Sequence, residues 1–314
     1  MAYKFLWDNF YQSLVNCDRT FTRTVSLPRP VISIGNIALG GRAKTPLTIE
    51  VVKILQELNF KPVVLTRGYK RTHKDSVTIE NMNPDSIADS AICGDEPLEI
   101  YIKTKCSVLV GKNRHENARN YSDTEKTVFV LDDGAQHWKI KKQLNIVSIN
   151  ETDKSDHIFP FGRLREKPSA LSRADSVISL GQDFIKKTII KHAPQGVKSI
   201  IALTTRAQGQ EKYFEEISQQ CSCDVETIEL PDHLESRKMI AYLGKSRVKH
   251  VVLGFKEIVK LNLTFQELSS IFEIGFFHYK KNNADFFVYY ADCELKFFED
   301  QLLKKIILEN GKLL

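Results

Sequence analysis

The stretch VISIGNIALGGRAKTPLTIEVVKIL (31–55) decides the fold. It reads as strand, glycine-bearing turn, Lys-Thr, helix. Val31, Ile32 and Ile34 make a short apolar run, as in parallel strands buried on both faces. After Pro46, the residues Leu47, Val51, Leu55 and Leu58 recur at helical spacing, with Glu50, Lys53 and Glu57 opposite. In such a turn, successive backbone N–H groups face phosphate oxygens and the helix N-terminus adds partial positive charge. Lys44 is placed to reach the β- and γ-phosphates and Thr45 to ligate magnesium. The expected ATP-binding segment is therefore Ala38, Leu39, Gly40, Gly41, Arg42, Ala43, Lys44 and Thr45. The strict pattern G-x-x-x-x-G-K-[ST] fails at both glycines, which are Ala38 and Ala43 here. If position 43 needs a positive φ, Ala costs roughly 1–2 kcal/mol there.

Outward from this loop, short apolar runs alternate with amphipathic segments. PVVLT (62–66), SVLVG (107–111), TVFVL (127–131), NIVSI (145–149) and SVISL (176–180) read as further buried strands. The alternation predicts an α/β fold, a doubly wound, mostly parallel sheet of the P-loop NTPase type. VFVLDDG (128–134) ends one strand in Asp132 and Asp133. Parallel sheets bind ligands at those carboxyl ends, where a carboxylate can hold magnesium beside a phosphate loop. Asp-Gly is equally a common turn pair.

Pro and Gly punctuate HAPQG (192–196), and a shorter α/β series follows: KSIIAL (198–203), DVETIEL (224–230), HVVLG (250–254) and DFFVYY (285–290). A boundary near 195 is expected, with residues 26–195 forming the loop-bearing domain and 196–314 a second, smaller α/β domain. A closing helix is expected over about 295–308. In residues 1–25, Phe5, Leu6, Phe10, Tyr11, Leu14 and Val15 recur about one helical turn apart, with Trp7 beside them. Such a helix can lie in a membrane interface or pack on the domain surface.

Composition bounds the remaining classes. The chain has 314 residues, 42% hydrophobic and 27% charged, which excludes disordered, collagen-like and coiled-coil classes. No uncharged apolar run approaches the roughly 18 residues that a spanning helix needs. The N-terminus lacks a signal peptide's apolar stretch, so a chain made and kept in the cytoplasm is expected. The six cysteines include no CxxC pair, which argues against a zinc site or a disulfide framework. The net charge of +6 is uneven. Lys61, Arg67, Lys70, Arg71 and Lys74 cluster without an acid, and Arg163, Arg165, Lys167 and Arg173 stand against Glu166 alone. Concentrated positive charge suits phosphate or anionic lipid; with no RNA-binding signature, nucleic acid is not expected as a partner.

Six further segments occur in order around the loop: LTRGYKR (65–71), GDEPLEI (94–100), VGKNRHENA (110–118), LDDGAQHWKI (131–140), FPFGRLREKPSALSRADSVI (159–178) and PDH (231–233). With SIGNIALGGRAKTP (33–46), this set resembles the lipid A 4'-kinases (tetraacyldisaccharide 4'-kinases). The resemblance is good over 31–180 and weaker to about 261. It implies transfer of the γ-phosphoryl of ATP, with Mg²⁺, to the 4'-hydroxyl of an acylated glucosamine disaccharide 1-phosphate, giving lipid IVA in lipid A synthesis. It places the chain at the cytoplasmic face of the inner membrane as a peripheral protein, with residues 1–25 as the interface helix. It also assigns roles. Lys44 and Thr45 match the loop's lysine and threonine, Asp95 matches the catalytic base, and His233 supports that base. Glu96, Asp132 and Asp133 match acids near the metal, while Arg114, Arg165 and Gln136 match residues facing phosphate or substrate charge. Read from the residues alone, Asp95 could equally cap the helix that follows it.

The chain departs from the family pattern at several points. Arg42-Ala43 replaces Thr-Gly, Lys70 replaces Gly, Ala135 replaces the Phe of LDDGFQH, ALTTRAQGQ (202–210) replaces a G-I-G-N-P-like turn, and GFKEIVKL (254–261) replaces a T-E-K-D-A-V-K-L-like stretch, keeping Lys256, Lys260 and Leu261. These changes motivate one alternative, a nucleotide-binding homologue that has lost catalysis. A soluble small-molecule kinase is another.

Overall fold

The computed structural model describes residues 2–40, 42–69, 71–205, 210–231, 236–281 and 283–310. Helix α1 (Ala2–Phe21) precedes the sheet. Strand β1 (Val31–Gly35) leads through the glycine-bearing loop into α2 (Lys44–Glu57), and β2 (Lys61–Thr66) follows. After β3 (Val77–Ile79) come two helices in tandem, α3 (Ser90–Cys93) and α4 (Asp95–Thr104). Then β4 (Ser107–Val110), α5 (Arg114–Asn120), β5 (Thr127–Asp132), β6 (Leu144–Asn150), β7 (Ser176–Leu180) and β8 (Phe184–Ile190) complete the first series.

The second series is β9 (Ser199–Thr204), α6 (Gln210–Ser218), β10 (Asp224–Glu229), α7 (Ser236–Lys245), β11 (His250–Leu253), α8 (Phe255–Ile258), α9 (Phe265–Ile274), β12 (Phe276–Lys281), β13 (Ala284–Phe297) and α10 (Leu302–Glu309). The expected strands form within a residue or so of their reading, except that the one read at 285–290 runs on to Phe297. The expected closing helix does not begin at 295: Leu295–Phe297 extend β13, and the helix starts at Leu302.

The strands join in the order β10-β9-β11-β13-β8-β7-β6-β1-β5-β2-β4-β3, with β12 on β13. From β7 to β4 every pairing is parallel. The centre follows from side-chain alternation. Val128 and Val130 point into the core beneath α2 and α4, while Phe129 and Leu131 pack with Val63, Leu65 and Leu109 on the opposite face. Register sets Ile34 opposite Asp132, so the ends of β1 and β5 lie side by side. A Cβ at Gly35 would stand 2.5 Å from Ala135 N; only glycine lets the turn after β5 close on β1.

Strand β13 belongs to both series. Its first half pairs with β11 and β12, and its second half with β8. It also fixes the helix that carries Asp95 and Glu96. Lys103 of α4 contacts Glu99 at 2.9 Å and Asp292 of β13 at 2.5 Å, all three largely buried. Tyr290 Oη donates to Asp292 at 2.7 Å.

Helix α1 docks differently from its apolar stripe. Trp7, Asp8, Tyr11 and Gln12 face the protein. Trp7 Nε1 donates to the Phe159 carbonyl, Asp8 accepts from Ile158 N and contacts His157 Nδ1, and Gln12 accepts from Lys167 N. Phe5, Leu6, Phe10 and Leu14 are exposed, between 51% and 67%.

Candidate functional site

The loop after β1 is held by segments remote in sequence. Leu39 N donates to the Arg163 carbonyl at 2.6 Å and Arg165 N to the Ile37 carbonyl at 2.7 Å. Ser148 Oγ donates to the Arg42 carbonyl at 2.7 Å. Arg42 itself is buried, with Nε 2.8 Å from Asp153 Oδ2 and Nη2 2.5 Å from Asp153 Oδ1. Ala43 takes φ 57° and ψ 25°, the left-handed conformation in which glycine is favoured. The loop therefore keeps its shape at a cost of roughly 1–2 kcal/mol at Ala43, and the buried Arg42–Asp153 pair anchors it. No side chain caps the start of α2, so its first N–H groups form an electropositive helix end. Gly41 lies outside the described residues.

Lys44 Nζ stands 2.9 Å from Asp133 Oδ1 and 3.4 Å from Asn36 Oδ1. Arg165 Nη1 meets both Asp133 oxygens at 3.0 and 3.1 Å and reaches Gln136 Oε1 at 3.4 Å. Burial would raise the Asp133 pKa, but Lys44 and Arg165 outweigh it and hold the carboxyl below the usual range. Asp133 also has φ 48°, a left-handed turn residue that aims its carboxylate at Lys44. Asp132 is buried, and its oxygens accept from Thr48 Oγ1 at 3.0 Å and Thr66 Oγ1 at 3.1 Å. Burial and the neighbouring Asp133 push its carboxyl upward. Arg114 donates to the carbonyls of Asp132 and Asp133 at 3.0 and 3.4 Å, and its Nη2 is 3.1 Å from His137 Nδ1. Here Arg114 braces the aspartate turn through its backbone.

Asp95 and Glu96 open α4. The N-cap is Gly94 (φ 90°), and no side chain caps the helix, so Asp95 is not spent as a cap. Burial raises its pKa, opposed by Lys256 and Lys260. Glu96 is pushed up to about 7, first by burial and next by Asp132, with Lys256 and Lys44 opposing. Glu96 thus shares one electrostatic field with Lys44 and Asp132. His233 lies outside the described residues. Sequence reading did not assign Asn36, Thr48, Thr66, Lys256 or Lys260 to the site. The two lysines persist within the otherwise altered stretch 254–261, which was the available signal. Asn36 lies next to the loop in SIGN, whereas Thr48 and Thr66 carry no local mark.

Phosphoryl transfer needs a loop to seat phosphates, cations to neutralise charge, and a carboxylate to take a proton. These residues supply all three types. Among the described residues, no three His, Cys, Asp or Glu side chains converge as a metal cluster. A cation here would share protein oxygens with phosphate oxygens, as magnesium commonly does.

Comparison with known proteins shows the family and the fold. A family model described as tetraacyldisaccharide-1-P 4'-kinase matches residues 8–310. The tetraacyldisaccharide 4'-kinase of Syntrophus aciditrophicus is 38% identical over 170 residues, covering 52% of this chain and 45% of that one; the match therefore spans less than half of that relative. The Legionella pneumophila (strain Lens) enzyme of the same name is 31% identical over 223 residues, 66% of this chain and 68% of that one. A crystal structure of LpxK from Aquifex aeolicus in complex with ATP superposes with a TM-score of 0.73 at 21% identity over 98% of both chains, which shows the same fold. By sequence span and fold together, this chain belongs to the tetraacyldisaccharide-1-P 4'-kinase family.

Proposed function

We propose that this chain moves the γ-phosphoryl group of ATP to the 4'-hydroxyl of an acylated glucosamine disaccharide 1-phosphate at a membrane surface. The observation that carries the reading is the array Lys44–Asp133–Arg165 at the end of a preshaped loop, electrostatically linked through Lys44 to Glu96 of α4. In this reading the loop N–H groups seat the phosphates, and Lys44 and Arg165 leave Asp133 to meet their charge. Asp95 accepts the proton as the hydroxyl oxygen bonds to phosphorus and the bond to ADP breaks. Its raised pKa suits that role, since a base works best with a pKa nearer the working pH. His233 would orient Asp95.

The donor set also fits magnesium. Thr45, Glu96 and Asp133 offer oxygen ligands, while the unpartnered Nδ2 of fully buried Asn36, beside Lys44, is a donor suited to a phosphate oxygen. Bound there, the ion would neutralise phosphate charge. Residues 26–195 then hold the nucleotide, and 196–314 supply Lys256, Lys260 and His233.

Attachment to the membrane is read from α1. No helix among the described residues is long and apolar enough to cross a bilayer. Phe5, Leu6, Phe10 and Leu14 are exposed, and Phe159 and Phe161 are exposed on the segment that α1 packs against. Burying each such side chain is worth about 1.5–3 kcal/mol, enough for reversible interfacial binding. The inner face of a bacterial inner membrane is the corresponding location.

The test is transfer of radiolabelled phosphate from ATP to the acylated disaccharide 1-phosphate in detergent with Mg²⁺. Asp95→Ala should lower kcat by about 10²–10⁴-fold with ATP affinity nearly unchanged. Near-normal turnover would remove Asp95 from catalysis, and absence of both transfer and ATP binding in the unmodified chain would overturn the function.

A further inference from the structure

Behind the aspartate turn lies a cavity of about 400 Å³ whose lining residues have no part in the phosphoryl-transfer steps described above. Its size falls within the roughly 300–1,000 Å³ of small-molecule sites. Ala135 is part of its wall, and this is the position where the family pattern carries Phe. The floor is apolar, from Ile37, Ile140 and Val147.

The polar lining is asymmetric. Four cations, Arg19, Lys141, Lys142 and Arg173, face two acids, Glu166 and Asp175, and both acids are already engaged. Glu166 accepts from Gln136 Nε2 and from Arg173 Nη2, while Asp175 accepts from Asn145 N at 2.7 Å. Lys142 is mostly buried and donates to the Gly134 carbonyl at 2.5 Å and the Ala135 carbonyl at 3.1 Å. Burial, then Arg114 and Arg173, bring its pKa down to about 8, with Glu166 and Asp175 opposing.

Two buried polar atoms in the lining have no partner: His137 Nε2 and Asn145 Oδ1. Their chemistry is determined by their neighbours. Arg114 can only donate, so His137 Nδ1 accepts and the proton resides on Nε2. Burial and Arg114 hold the ring neutral, with its pKa lowered to about 3. His137 therefore offers one donor. Asn145 is nine-tenths buried and donates Nδ2 to the Arg173 carbonyl at 3.3 Å, which leaves Oδ1 as an acceptor. Buried groups left unpaired cost about 1–3 kcal/mol each, so a ligand that pairs them gains that energy. The excess of cations and the lone donor call for an anion, and the lone acceptor calls for a hydroxyl.

We propose that this cavity is a second ligand site, for a hydroxyl-bearing phosphate monoester of sugar-phosphate size. The site stands independently of the kinase reading, because its residues neither seat ATP nor take the proton. Its ligand is either a free sugar phosphate or the sugar-phosphate end of a larger lipid.

Trp138 lines the cavity, with Arg173 5.1 Å and Lys142 5.6 Å from its ring. The chain has only one other tryptophan, Trp7. The experiment uses the full chain carrying Trp7→Phe, reads Trp138 emission, and titrates glucose 1-phosphate. A saturable change below about 10 mM is expected, absent with glucose and weaker with inorganic phosphate. Ala135→Phe should abolish it by filling the wall, and Arg173→Met should weaken it at least tenfold. Circular dichroism and ATP binding would establish that both variants are folded. No saturable change in the parent, an equal response in folded Ala135→Phe protein, or displacement by ATP would each overturn the site. Competition with the acylated disaccharide 1-phosphate in micelles separates the sources. Displacement identifies the lipid's sugar-phosphate end, and persistence of the signal identifies a free sugar phosphate.

Discussion

Replacing Arg42 with Thr, the residue of the family pattern, tests how this chain keeps its loop in shape. Arg42 and Asp153 have side chains only 4% and 1% exposed and meet through two contacts of 2.8 and 2.5 Å. Removing Arg42 leaves the Asp153 carboxylate buried, with the Asn150 N–H at 2.8 Å as its remaining described hydrogen-bond donor. Breaking one side of such a pair costs about 3–5 kcal/mol, because the desolvated charge is left behind. That corresponds to roughly a 150- to 4,000-fold loss in the folded-to-unfolded ratio. Urea unfolding measures it as a lower midpoint at unchanged slope. ATP affinity should also fall, on the order of 10–100-fold, since the loop that seats the phosphates loses its anchor. Adding Asp153→Ala removes the stranded charge, so the double variant should regain most of the stability, though not the ATP affinity. An Arg42→Thr protein within about 0.5 kcal/mol of the parent, or a double variant no more stable than the single, would refute the anchoring argument.

Glu96 titrates near pH 7 when folded, against an ordinary value of 4.5. In magnesium-free protein its contribution to stability is therefore fully present below about pH 4.5 and is lost as the pH rises through 7. Glu96→Gln should flatten that decline in urea melts at pH 5 and pH 8; an unchanged pH dependence would exclude Glu96 as its source. Lys103→Met should cost about 3 kcal/mol, because Glu99 and Asp292 then lose their shared buried cation. A cost under 1 kcal/mol in urea unfolding would show that the α4–β13 link is not ionic. Phe5→Ser with Phe10→Ser should reduce partitioning onto anionic vesicles by roughly tenfold or more without lowering the melting temperature, since both rings are exposed. Unchanged partitioning would show that α1 is not the attachment.

Much of the first series was legible because its signals are local. A run such as Val128–Leu131 is apolar throughout, as a strand covered on both faces must be, and the Lys-Thr turn follows β1 directly. Strand β8 was missed because Lys186 and Lys187 interrupt its apolar pattern; it is specified by pairing with β13. The same pairing draws Leu295–Phe297 into a strand although their neighbours read as helix. Helix α1 was legible as amphipathic, but its docking was not. It packs through Asp8 and Gln12, whose partners lie about 150 residues away, and so part of its apolar stripe remains exposed.

The sequence by itself determined the α/β class, the loop, the acids at the strand and helix ends, and the family. Each of these rests on a few adjacent residues whose periodicity or chemistry stands without partners. Only the tertiary structure decided that the loop at Arg42-Ala43 is braced by Asp153, that Lys256 and Lys260 act electrostatically on Asp95, and that a polar cavity opens beside Ala135. Those properties depend on charge pairs, burial and space between segments a hundred or more residues apart, which no local pattern encodes.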